Sequence, residues 1–136
     1  MAFSNKISEQ NLSWATLLLR IVSGGFMLTH GIPKLMKVIN GDFGFADPIG
    51  VGPTFSLLLT VFAEFLCAIF ILVGFKTRLA TIPLMITMVV AAFIVHLNDP
   101  WGKKEFPLLY LAIYAALFLL GSGKFSLDNL INKKRD

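Results

Sequence analysis

LSWATLLLRIVSGGFMLTHGIPKLM, residues 12–36, decides how the rest of the chain is read. The stretch is apolar and about 25 residues long, enough to cross a bilayer, yet it contains Arg20, His30 and Lys34. Wound as one helix at about 100° per residue, it puts His30 about 280° and Lys34 about 320° around the axis from Arg20. The three therefore share a stripe with Met27, flanked by Gly24 and Gly31, where small residues let another helix or a bound molecule come close. Ionisable groups in a lipid-spanning helix are costly without partners, so the stripe is expected to face protein and each group is a candidate for a functional role.

Composition extends this reading to the whole chain. Of the 136 residues, 56% are hydrophobic and the mean hydropathy is +0.76, well above an average soluble domain. One transmembrane domain over residues 1–136 is expected. The first apolar stretch is too long and too charged for a signal peptide and lacks a small-residue cleavage site, so the N-terminus should be retained. The net charge is +4, but the bases are spread over loop ends without interleaved aromatics, which argues against nucleic acid as a partner and for the lipid bilayer. A single cysteine, Cys67, excludes an internal disulfide or a Cys-x-x-Cys relay. No sequence signal bears on oligomeric state.

Outward from the first span, the glycine- and proline-punctuated segment KVINGDFGFADPIGVGP reads as a structured loop, with Phe43, Phe45 and Ile49 over the bundle mouth. Further spans are expected at 54–75, with Glu64 near its middle, at 79–97, ending near His96, and at 106–120, carrying Tyr110 and Tyr114. Asn11 or Ser13 is expected to cap the first helix, and Ser126 a final turn lying along the membrane surface. The fold class is thus an all-α, antiparallel four-helix membrane bundle with a short C-terminal interfacial segment. Lys6, Lys76, Arg78, Lys124, Lys133, Lys134 and Arg135 fall on the side of the termini, against Lys34, Lys37, Lys103 and Lys104 opposite. The positive-inside tendency then makes both termini cytoplasmic in a bacterial-type plasma membrane.

Helical rise places the buried polar groups by depth. With Leu12 at one edge and Pro53 at about 30 Å, Arg20 lies about 12 Å in and Glu64 about 14 Å. His30 and His96 both reach about 27 Å, with Tyr110 and Tyr114 at about 22 and 16 Å. Two layers are expected: an ion pair of Arg20 with Glu64, beside Tyr114, and an outer group of His30, His96, Lys34 and Tyr110. The pair reads first as structural, fixing register, and second as the floor of a ligand cavity. The histidines read first as hydrogen-bonding an organic ligand or each other's loops, and second as plainly structural. Two histidines make an incomplete zinc site unless Asp47, Asp99 or Glu105 joins, and metal or haem ligation ranks last.

The string LLLRIVSGGFMLTHGIPKL, the span with AEFLCAIFILVGFKTRLA, the later His96 and the ending GSGKFSLD together resemble the DoxX family of small four-helix membrane proteins. On that resemblance the family's arginine matches Arg20, its HG-x-x-K element His30, Gly31 and Lys34, its acidic residue Glu64, its turn Gly74, Thr77 and Arg78, and its later histidine His96. The resemblance implies a membrane component of redox chemistry, associated with thiosulfate:quinone oxidoreduction in one relative and with superoxide- and sulfur-handling partners in others. The chain lacks the paired cysteines that autonomous disulfide chemistry requires.

The expected function is therefore redox-associated. A quinone or similar lipophilic carrier would be held by Arg20, His30, Lys34, Glu64, His96, Tyr110 and Tyr114, and a membrane or peripheral partner oxidoreductase would exchange its electrons. No flavin, haem or iron–sulfur motif is present, so no covalently bound cofactor is expected. The alternative is a non-catalytic assembly, anchoring or small-solute or lipid-binding bundle. Whether the chain is itself an enzyme stays open.

Overall fold

The computed structural model describes residues 5–135, in which five helices and no strand form. Residues 1–4 and Asp136 lie outside the described residues. The first helix, α1 (Glu9–Ile39), is 31 residues long, about 46 Å, and so exceeds the roughly 30 Å of hydrocarbon it would cross. It begins one turn earlier than expected. Ser8, not Asn11 or Ser13, is its cap, accepting the Asn11 N–H at 3.1 Å. The Ser13 hydroxyl instead donates to the Glu9 carbonyl at 2.8 Å.

A loop then leads to α2 (Pro53–Val73), organised by Asp47. Its carboxylate accepts the N–H groups of Val51 and Gly52 and the Ser56 hydroxyl, each at 2.9 Å. Pro53 supplies a pre-set φ for the first turn. Within α2, residues Phe62–Cys67 form a π turn. Such a turn holds one residue more than an α turn, which offsets the faces before and after it by about 100°. The helix ends in a Schellman turn: Phe75 N–H returns to the Phe70 carbonyl at 2.8 Å, and Gly74 takes φ +72°.

α3 (Thr77–Val95) runs through Pro83 and closes in a second π turn, Ala91–Val95. α4 (Trp101–Leu120) has 20 residues and starts five residues before the expected boundary. The charged run Lys103–Lys104–Glu105, outside the expected span, lies in the first turns of α4, where the Lys104 ammonium donates to the Leu97 carbonyl at 2.7 Å. α5 (Leu127–Lys133) is the surface helix, capped as expected by Ser126, which accepts the Asn129 N–H at 3.2 Å. Three of the helices, α1, α2 and α3, are long and apolar enough to cross a membrane.

The helices α1 to α4 pack successively side by side, and α4 closes back on α1. The core comprises Met27, Ala63, Cys67, Ala68, Ile71, Leu84, Met88, Tyr114 and Leu117. Large apolar residues such as Leu18, Phe26, Leu79, Ile86 and Leu119 point outward, as they do in lipid-facing helices. Small residues set the register of α1 on α2. A Cβ at Gly24 would lie 3.0 Å from the Ala68 carbonyl oxygen, and one at Gly31 only 2.2 Å from that of Glu64. Gly31 is thus level with Glu64, and Arg20 with the end of α2.

Candidate functional site

That register overturns the expected pairing of Arg20 with Glu64. Fitting α1 and α2 to one slab of about 30 Å placed Pro53 too deep. α1 is longer than the slab, so α2 starts opposite the far end of α1 and Glu64 rises to the outer layer. Arg20, 2% exposed, turns to backbone instead. Its Nε donates to the Ile71 carbonyl at 2.9 Å and its Nη2 to that of Leu72 at 3.0 Å. Nη1 donates to the carbonyls of Ser122 at 2.9 Å and Phe125 at 2.7 Å.

The guanidinium thus fastens the C-terminal tail beneath the end of α2. Its charge faces the negative end of that helix dipole and lies within the field of Asp128. Asp128 itself accepts the Lys76 N–H at 3.0 Å and the Ser122 hydroxyl. Arg20 does not line the cavity that holds Glu64.

The partner of Glu64 is Lys34, in an ion pair between α1 and α2. Both line a cavity of about 250 Å³ with His30, His96 and Tyr110, so five of the seven sequence-predicted residues come together. Met27, Met88, Phe106 and Pro107 supply apolar walls, and Lys103 stands at the rim. The His30 ring meets Tyr110 edge-on, with centroids 6.2 Å apart. Tyr110 stacks at 6.0 Å on Tyr114, whose hydroxyl donates to the Ser23 carbonyl at 3.2 Å. Tyr114 is fully buried behind the cavity and supports its wall without lining it.

Both π turns border this cavity, one carrying Glu64 and the other starting at Ala91 and ending just before His96. π turns recur at functional sites because they re-aim side chains without ending a helix.

Asp99 joins the site as an orienting group. Its carboxylate meets Nδ1 of His96 at 2.7 Å, which leaves Nε2 as the ring nitrogen available to the cavity. The hydrogen bond from His96, with help from the charges of Lys103 and Lys104, holds the Asp99 carboxyl below its ordinary range. The i, i+3 spacing in HLND was the available signal. Asp47, considered as a metal ligand, instead builds the α2 cap, and among the described residues no group of three or more His, Cys, Asp or Glu could hold a metal ion.

The DoxX family model matches residues 15–97. The chain belongs to the DoxX family. As a DoxX protein it is similar to "Putative oxidoreductase CatD" of Bacillus subtilis (strain 168), 30% identical over 119 residues that cover 87% of each chain. It is also similar to "Uncharacterized membrane protein Rv3486" of Mycobacterium tuberculosis (strain ATCC 25618 / H37Rv), 29% identical over 135 residues covering 88% of this chain and 83% of that one. No solved structure matches significantly.

Proposed function

We propose that this DoxX protein binds a quinone, or a comparable small aromatic dicarbonyl, in the Lys34–Glu64 cavity and serves as the membrane component of an oxidoreductase system. The observation that carries the reading is the lining. Donors able to reach a carbonyl oxygen, Lys34, His30, His96 and the Tyr110 hydroxyl, converge on a chamber that is walled by apolar side chains apart from Glu64 and the rim Lys103. At about 250 Å³ the chamber falls below the roughly 300–1,000 Å³ of drug-sized sites. It suits a ring, with any tail passing out into lipid. The similarity to a protein named as an oxidoreductase points to the same class.

A quinone accepts two electrons and two protons on becoming a quinol. The chain's residues would position the ring and exchange protons at its oxygens, while a partner oxidoreductase supplies the electrons. We also infer cytoplasmic termini from the seven bases on that side against four opposite, which opens the cavity to the outer face.

The test is thermal unfolding of the purified protein with a short-chain quinone. A ligand at a hundred times its Kd adds about 2.7 kcal/mol, several degrees in Tm. That shift should fall in Tyr110→Phe and His96→Gln. No shift in the unaltered protein at saturating quinone would reject the reading. The non-catalytic alternative, in which buried charge serves packing, is the better account of Arg20 alone.

A further inference from the structure

A second recess lies at the opposite end of the bundle, between the end of α2 and the tail. It measures about 630 Å³ and is lined by Val73, Phe125, Leu127 and Leu130, with Lys124 and Lys133 beside them. The four apolar side chains stay 38–59% exposed, although the tail that carries three of them is firmly held by Arg20, Asp128 and the Ser126 cap. Its polar members are satisfied internally. The Ser126 hydroxyl donates to the Gly123 carbonyl at 2.6 Å, and the Asn129 amide to that of Lys124 at 2.8 Å. The two lysines, by contrast, take part in none of the salt bridges among the described residues.

Depth supplies the remaining constraint. Trp14, near the start of α1, packs against Phe125 with ring centroids 4.6 Å apart and is itself 54% exposed. Tryptophan concentrates at the membrane–water boundary, which puts the recess at headgroup level. Leu127, Leu130 and Lys133 follow one another at i, i+3 and i+6 on α5, so apolar surface gives way to positive charge along one side of that helix.

We propose that this recess is a binding site for one anionic phospholipid, its acyl chain along Val73, Phe125 and Leu130 and its phosphodiester between Lys124 and Lys133. The site is separate from the quinone cavity and does not depend on it. The charge complementarity selects an anionic over a zwitterionic lipid, and the apolar wall selects a lipid over free phosphate.

Native mass spectrometry of the full chain, with dioleoyl-phosphatidylglycerol and dioleoyl-phosphatidylcholine added in equal amounts, tests this. Basic residues near an anionic headgroup act independently enough that two lysines give a preference on the order of 30-fold for phosphatidylglycerol. In K124Q/K133Q the preference should drop to near unity. In Leu130→Asn, adducts of both lipids should weaken together. Equal adducts of the two lipids on the unaltered protein overturn the proposal, as does a preference that survives K124Q/K133Q. Loss of the adduct on adding millimolar inorganic phosphate also overturns it, in favour of a free-anion site. Helicity by circular dichroism shows that each variant is folded, and the solvent-facing lysines are chosen so that it will be.

Discussion

Replacing Arg20 by Met tests the register of α1 on α2 directly. The guanidinium makes four hydrogen bonds to carbonyls, two at the end of α2 and two in the tail. Hydrogen bonds within membrane proteins average about 0.6 kcal/mol, and those from charged donors in water-soluble proteins reach about 1.5 kcal/mol or more. Four of them correspond to about 2–6 kcal/mol, and the variant should unfold in detergent many degrees below the unaltered protein. Because Ser122 and Phe125 lose their tether, trypsin should cut at Lys124 and Lys133 well before the bundle unfolds. Arg20→Lys should recover part of the loss, since an ammonium cannot span both pairs of carbonyls. Glu64 lies seven residues up α2 from Ile71, about 10 Å. Arg20→Met and Glu64→Gln should therefore add within about 0.5 kcal/mol. A coupling above about 1 kcal/mol in that cycle, or a tail that resists trypsin in Arg20→Met, would refute the register and restore the Arg20–Glu64 pair.

Three further perturbations address the cavity. Gly31→Ala sets a Cβ 2.2 Å from the Glu64 carbonyl oxygen and 2.5 Å from its carbon; it should lower Tm and abolish quinone stabilisation together, whereas Gly25→Ala, which meets nothing within 4 Å, should leave both unchanged. Lys34→Met strands the buried Glu64 carboxylate at a cost of roughly 3–5 kcal/mol, Glu64→Leu leaves the half-buried Lys34 ammonium unpaired at a smaller cost, and the double substitution should regain most of the Tm yet not quinone binding, as read by thermal unfolding with and without ligand. The Asp99 carboxyl, held below its ordinary range by His96, adds stability that is complete above about pH 4 and is lost as pH falls through its folded value. Asp99→Asn should flatten that acid limb in a Tm-against-pH series and weaken quinone binding at neutral pH.

The helix content and the lipid-facing character were legible because they rest on long apolar runs and helical period, which survive errors of a few residues. The stripe on residues 12–36 was legible too, yet its two ends serve different purposes. Gly24 and Gly31 had been read as small residues for close approach, and they do seat α1 against α2. What the sequence could not convey is how far α2 slides along α1, because the slide is fixed by contacts between a glycine and a carbonyl 30 or more positions away. One assumption, that every span begins at the membrane edge, moved Glu64 by roughly 14 Å and exchanged its partner. The π turn at Phe62–Cys67 was equally hidden: FAEFLC carries no residue that marks it.

The two polar layers differ in what their donors have left to give. At the Arg20 level, four of the five guanidinium N–H groups are already directed at carbonyls, and Gly74 leaves no room: a Cβ there would sit 2.7 Å from the guanidinium carbon. A ligand would have to displace backbone that holds the tail in place. At the Lys34 level the donors meet side chains and not backbone, Lys34 with Glu64 and His96 with Asp99. Side chains can re-form such pairs around a guest. On the proposed function, a carbonyl oxygen entering there would gain a donor without unravelling a helix end, whereas the Arg20 layer is closed by the backbone it holds.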